Sequence, residues 1–367
     1  MGFILRLASA MCLSWFIVFG SAKVMNLYEF NEKHTTFIEV IPKKRINFAY
    51  MVKTNSPHAW WLAARPKTLT GAAAPVILAV SAAYGIYGHI EWIPALLCMA
   101  FALLMQTDAN LVNDYYDCIR GIDTEERLGP ERACSQGWIT LPAMRIGIGV
   151  VTLLACLAGL PLVWWGGWEC ILVGIACVAF CFLYTTLFSR IAMGDVLVLL
   201  FFGIIPVGYT FFFQSPLSSI SDIPLPVWLL ALAQGLITDC LLLVNNFRDR
   251  HTDAAVGKTT LVTVIGERLT LALYGVIGII SVLLAICALF LLTASSSNVQ
   301  PSSFNVHCPT VLPLIFLPLH LRNLHLLRTI NYGKPLNRVL GITALSIFVF
   351  AILVSFTLVL AGSNSHL

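Results

Sequence analysis

The chain has 367 residues, 58% of them hydrophobic and 11% charged, with a formal net charge of +4. Soluble domains carry about 25% charged residues, so this composition excludes an ordinary soluble enzyme, and so small a positive charge gives no reason to invoke nucleic acid. The eleven cysteines form no CxxC pair and no Cys/His metal spacing; most lie in apolar runs, where they act as small hydrophobes rather than a disulfide framework.

In chain order, "MGFILRLASAMCLSWFIVFGSA" comes first and has the form of a signal sequence or signal anchor, with Arg6 in its charged n-region. Inserted that way it would leave Lys23 to Lys67 on the outer face, against the usual distribution of positive charge. Residues 1–57 are therefore read as an N-terminal extension and residues 58–367 as the membrane domain, with a second start-like Met51 directly ahead of it. Nine apolar stretches follow, near 69–88, 93–112, 143–164, 169–189, 195–214, 225–245, 271–293, 309–327 and 338–361. Each approaches the roughly 20 residues that span the hydrocarbon as a helix. Lipid admits only helices or closed barrels, and these runs are too continuous for alternating barrel strands. The expectation is an all-α polytopic bundle of nine transmembrane helices.

The 22 Lys and Arg residues precede the first stretch or cluster between the second and third, fourth and fifth, sixth and seventh, and eighth and ninth. The other loops and the tail have none, which predicts a single cytoplasmic face. "GHIEW" and "WWGGW" supply interfacial aromatics at the opposite ends.

Two polar motifs leave the bundle on that predicted cytoplasmic face. Behind the second stretch stands "NDYYDCIRGID", residues 113–123. On a helix Asn110, Asn113/Asp114 and Asp117 form one stripe, and Gly121 lets the chain turn so that Asp123 folds back. The sixth stretch ends in "NNFRDRHTD", where Asn245, Asp249 and Asp253 recur every four residues on one face. Two facing acidic stripes repel unless cations lie between them, and carboxylates suit Mg²⁺ held together with phosphates. Acids that merely cap helices at the water interface are the plainer explanation of one motif, but a doubled motif with matched Asn residues favours a site.

Other residues attract less chemistry. "GKTT" at 257–260 lacks the Gly at 252 that a phosphate loop needs, since Thr252 stands there. His251 reads as a solvent-side neighbour of the second stripe, and His320, His325 and Arg322 as snorkelling groups. Asp108 and Asp239 lie inside apolar stretches; Asp108 reads as a protonated acid with a hydrogen-bond partner.

"RPKTL", "NDYYDCIRGIDTEERLGPERACSQGWIT", "YTTLFSRIAMGD" and "NNFRDRHTDAAVGKTTLVTVIGER" together resemble the UbiA-type intramembrane prenyltransferases over about residues 58–361. The Gly before the third acid, "GPER" and "GKTTL" resemble the naphthoate branch more than the benzoate one. The resemblance implies a Mg²⁺-dependent enzyme of the bacterial cytoplasmic membrane that moves a polyprenyl group from polyprenyl diphosphate to 1,4-dihydroxy-2-naphthoate, releasing CO2 and diphosphate. It implies catalytic roles for Asp117, Asp249, Asn113 and Asn245, and metal ligation by Asp117, Asp123, Asp249, Asp253 and Asp114. Substrate binding falls to Arg65, Lys67, Arg127, Arg132, Gln136, Tyr184, Arg190, Asp195 and Lys258. The partners are the two substrates and the lipid bilayer, with no nucleic acid and no obligate protein partner. A YxxxK pattern common in the superfamily is absent, Tyr184 being followed by Arg190. The alternatives are a relative acting on a benzoate, haem or chlorophyllide-type acceptor, and a secondary anion or metal transporter, whose acids would face each other near the bilayer midplane.

Overall fold

The computed structural model describes residues 52–121, 127–186, 191–295 and 309–365. The expected N-terminal extension lies outside these residues up to Met51. A short helix α1 (Pro57–Ala64) leads into nine longer ones. They are α2 (Pro66–Tyr87), α3 (Trp92–Ile119), α4 (Leu141–Gly166), α5 (Glu169–Thr186), α6 (Gly194–Phe213), α7 (Leu225–Ala255), α8 (Leu261–Ser295), α9 (Thr310–Ile330) and α10 (Leu336–Ser365).

Eight of these are long and apolar enough to cross a membrane; α5 is apolar but shorter. The helices that carry the motifs are the instructive ones. α3 has 28 residues and α7 has 31, so at about 1.5 Å per residue each exceeds 40 Å, beyond the roughly 30 Å of hydrocarbon. Apolar residues fill their first turns, and the polar motifs occupy the surplus length at their C-terminal ends. Both helices run unbroken through Asn113–Asp117 and Asn245–Asp253, and Gly121, at φ +64°, turns the chain out of α3 as expected.

α7 is the most buried span and α4 the least. α7 packs on α8, α6 and α10, α10 lies along α2, and α2 in turn contacts α3. The closest approach is between α6 and α7. A Cβ on Gly203 would lie 2.5 Å from the Ala231 carbonyl oxygen and 2.8 Å from the Gly235 Cα, and a Cβ on Gly235 would lie 3.0 Å from the Leu199 carbonyl oxygen. Such backbone contact replaces the hydrophobic drive that lipid does not supply between helices. α6 adjusts with a π turn at Leu200–Ile204, just ahead of Pro206, whose missing N–H leaves a carbonyl without its helical donor.

Polar groups inside the bundle find one another. The Thr152 hydroxyl lies 2.7 Å from Asp108 Oδ2 and 2.9 Å from the Ile148 carbonyl oxygen. A protonated Asp108 would donate to Thr152, which would donate onward to Ile148, so the geometry supplies the partner expected for that acid. His320 corrects the snorkelling reading: it is 1% exposed, stacked on Tyr274 at 4.7 Å, with Nε2 3.0 Å from the Tyr274 carbonyl oxygen. A short-reaching imidazole that finds a carbonyl inside the bundle has no need of the interface.

The Gly203 contact yields a direct expectation. Gly203→Val forces α6 off α7 and should cost about 1–3 kcal/mol, read as a lowered melting temperature in detergent. An unchanged melting curve would show that the two backbones do not touch.

Candidate active site

The cation-rich loops meet at the end of the bundle where α3 and α7 finish. Arg120 donates to the Thr185 carbonyl across to α5, and the Ala192 N–H donates to the Thr259 carbonyl, tying the segment before α6 to the turn after α7. The segment 127–140 between α3 and α4 does the most. Asp114 is 1% exposed, and its two carboxylate oxygens accept from the Ala133 and Cys134 N–H groups at 2.9 and 3.1 Å. Although the sequence groups Asp114 with the metal ligands, its oxygens are taken up by this loop. Its observable role is to fix where Arg132 stands.

Arg132 then closes the first motif. Its Nη2 lies 2.5 Å from Asp117 Oδ2 and its Nη1 donates to Asn113 Oδ1 at 3.0 Å. The second motif is closed in the same way by a residue within it. Arg248 Nε and Nη2 donate to the two Asp249 oxygens at 2.8 and 2.5 Å, and Nη2 also donates to Asn245 Oδ1 at 2.9 Å. In each motif one guanidinium therefore bridges an Asn and an Asp one helical turn apart. The Asp117 and Asp249 side chains remain 17% and 22% exposed, while those of Arg132 and Arg248 are 6% and 2% exposed. In each pair the carboxylate is the more exposed partner.

Further positive charge converges here. A Cβ on Gly129 would lie 2.9 Å from Arg248 Nη2 and 3.2 Å from Arg127 Nη2, so two guanidiniums from different halves of the chain approach one glycine. Arg65, in a left-handed turn at φ +50° between α1 and α2, has its Nη2 buried without a partner. Burial, and then the nearby Arg132 charge, push the Arg65 guanidinium down to about 9. Lys258 pairs with Asp253 at 3.2 Å.

The remaining predicted residues divide. Tyr184 lies within electrostatic reach of Asp195, Asp239 and Asp253, and the Asp195 and Asp239 carboxyls are in hydrogen-bonding contact, so this group extends the second motif into the span. Lys67 and Gln136 are exposed, and Gln136 joins the loop only through its backbone N–H to the Arg132 carbonyl. Asp123 and Arg190 lie outside the described residues. Arg248 and Asn337, which accepts from Arg248 Nη1 at 2.8 Å, were missed from the sequence. For Arg248 the signal was an arginine on the inward face of a long apolar helix; Asn337 gave none.

Among the described residues no three His, Cys, Asp or Glu side chains converge as a ready-made metal site. The donors present are all oxygens, in two Asn/Asp pairs, and the buried Arg65 Nη2 beside them has no hydrogen-bond acceptor from the protein. That set fits Mg²⁺ bound through few carboxylates together with phosphate oxygens.

The model of the UbiA prenyltransferase family matches residues 72–327. A 1,4-dihydroxy-2-naphthoate octaprenyltransferase of Mycobacterium leprae is 32% identical over 84% of this chain and 98% of its own length. The Escherichia coli protein of the same name is 36% identical over 57% of this chain and 69% of its own. Among solved structures, a UbiA homologue from Archaeoglobus fulgidus bound to GPP and Mg²⁺ superposes with a TM-score of 0.52 at 14% identity, covering 82% of this chain and 99% of its own. That likeness extends to the fold.

The crowding around Arg65 leads to a prediction with an unusual sign. A cation whose charged form is disfavoured by burial and like charges destabilises the ligand-free fold, and an arriving anion relieves it. Arg65→Met should leave the melting temperature unchanged or raise it, while weakening binding of inorganic diphosphate with Mg²⁺ by roughly tenfold or more. A lowered melting temperature with normal diphosphate binding would assign Arg65 a purely structural place.

Proposed function

The chain belongs to the UbiA prenyltransferase family, and from that premise we propose that it transfers a polyprenyl group from polyprenyl diphosphate to 1,4-dihydroxy-2-naphthoate, releasing diphosphate and CO2 and giving demethylmenaquinol. The observation that carries this reading is the pairing of two Asn/Asp motifs, each bridged by a buried arginine, at one end of the bundle. The relatives named for naphthoate prenylation supply the acceptor. The motif acids stand at the ends of continuous helices α3 and α7, whereas a transporter would place them on broken helices at the midplane.

In this reading Asp117, Asp249 and Asp253, with Asn113 and Asn245, would hold Mg²⁺, which would supply positive charge to neutralise the leaving diphosphate. Asp123 belongs to the same proposed set, and Asp114 does not. Arg65, Arg127, Arg132, Arg248 and Lys258 are fixed donors for phosphate oxygens, with Lys67 at their margin and Arg190 a further candidate. Because these donors are held before the substrate arrives, they need little rearrangement as the allylic C–O bond ionises. A naphthoate ring carbon captures the allyl cation, and the electron pair of the departing carboxylate restores aromaticity as CO2 leaves. Apolar spans around the prenyl chain keep water from the cation. Tyr184, Asp195 and Gln136 remain candidates for contacts with the substrates. Counting α5 gives nine spans, the Lys and Arg distribution favours a cytoplasmic position for the site, and the bacterial relatives favour an inner membrane.

Purified enzyme given prenyl diphosphate, Mg²⁺ and carboxyl-labelled naphthoate should release labelled CO2 and form a decarboxylated prenylnaphthoquinol. A product retaining the carboxylate, or use of a benzoate instead, would reject the acceptor assignment. Asp117→Asn and Asp249→Asn should each lower turnover by about a hundredfold or more without changing the fold. Groups acting as a unit are non-additive, so the double variant should be scarcely slower; near-normal turnover in both single variants would leave these acids as simple helix-end charges.

A further inference from the structure

We propose that Asn337 is a positioning residue that couples the two motifs, joining the Arg248 guanidinium to the loop carrying Arg127 and Arg132 so that both halves engage magnesium diphosphate as one unit. The inference rests on reading the site as a diphosphate site, but concerns a residue that belongs to neither motif.

Asn337 stands in the first turn of α10, 89 residues along the chain from Arg248 and 209 from Leu128. It accepts at Oδ1 from Arg248 Nη1 at 2.8 Å and donates from Nδ2 to the Leu128 carbonyl at 2.8 Å. A guanidinium can only donate and a carbonyl can only accept, so the orientation of the carboxamide is fixed by its partners. No carboxylate, hydroxyl or alkyl side chain of similar size offers one acceptor and one donor in opposite directions.

The turn that presents Asn337 is itself held from α7. Arg250 Nη1 donates to the Asn331 carbonyl at 2.8 Å and Nη2 also reaches the Asn331 side chain, while Asn331 Nδ2 donates to Glu267. Two buried arginines two positions apart on α7 thus grip the α9–α10 turn, one at Asn331 and the other at Asn337.

Two of the contacts that hold the loop bracket Gly129 and Arg132. Asp114 holds it at Ala133 and Cys134, and Asn337 holds it at Leu128. Between these points lie Gly129, over which Arg127 and Arg248 converge, and Arg132, which bridges the first motif. Like charges so close separate unless acceptors hold them. Asn337 supplies the acceptor that also ties Arg248 to the loop, so a shift of one motif's arginine is transmitted to the other's.

The test uses detergent-purified full-length protein and binding of inorganic diphosphate with Mg²⁺. Asn337→Leu removes both hydrogen bonds and should weaken binding about tenfold or more, since one of them is to a charged group. Asn337→Asp keeps an acceptor for Arg248 but loses the donor to Leu128, and should weaken binding as well. Asn337→Gln restores both amide ends and should recover most of the affinity. The decisive readout is the combination of Asn337→Leu with Arg132→Gln, a residue of the other motif. If Asn337 couples the halves, the combined loss falls well short of the product of the single losses. A merely structural Asn337 gives the full product, and that result, or wild-type affinity in Asn337→Leu, overturns the proposal. Should Asn337→Leu not fold, Asn337→Asp decides in its place, alone and combined with Arg132→Gln, with Asn337→Gln as the control. If the unaltered protein fails to bind magnesium diphosphate at all, the reading of the site beneath this inference fails first, which separates the two.

Discussion

Everything at the working end of this bundle follows from carboxylates placed at the wrong end of helices. Asp117 lies in the last turn of α3 and Asp253 in the last turn of α7, where the backbone already presents unsatisfied carbonyls and a negative partial charge. Adding acids there is unfavourable. The chain meets the conflict with cations: Arg132 across Asn113 and Asp117, Arg248 across Asn245 and Asp249, and Lys258 on Asp253. A site whose negative charge is matched by cations already in place can admit a divalent ion and a diphosphate together, since each arriving charge finds its complement.

The membrane dictates why such a site sits where it does. A helix longer than the hydrocarbon must end in water, and α3 and α7 have surplus length at their C-terminal ends only. Within the hydrocarbon the bundle is held by close backbone contact at Gly203 and Gly235 and by polar pairs such as Tyr274 with Thr343 and Asn323 with Ser346. The loops at the ends of the motif helices carry the positive charge. The acid pair Asp195 and Asp239 with Tyr184 extends the polar region into the spans.

Much of this was legible in the sequence, for physical reasons that can be named. Apolar runs of span length have one fate in lipid, so helices stand where the sequence stretches lie, eight of them of spanning length among the described residues. The four-residue spacing of Asn113 with Asp117 and of Asn245 with Asp249 placed each pair on one face of a helix. What escaped depended on contacts distant in the chain. Nothing local distinguishes Asp114, which caps a loop, from Asp117, which faces the site, because the difference lies in where Ala133 and Cys134 arrive. Arg248 sat inside a recognised motif yet was given no role of its own. His320 read as a snorkelling group because its partner, the Tyr274 carbonyl, belongs to another helix. Asn337 acts through an arginine 89 residues away, and no spacing rule reaches that far.

The central claim is that the two motifs form one seat for a divalent ion and a diphosphate, and spectroscopy can address it without turnover. Mn²⁺ substituted for Mg²⁺ in the presence of inorganic diphosphate should give an electron paramagnetic resonance signal with phosphorus coupling. That coupled signal should be lost in Asp117→Asn and equally in Asp249→Asn, because each motif contributes oxygens to the same assembly. A phosphorus-coupled signal of full strength in both variants would contradict the account.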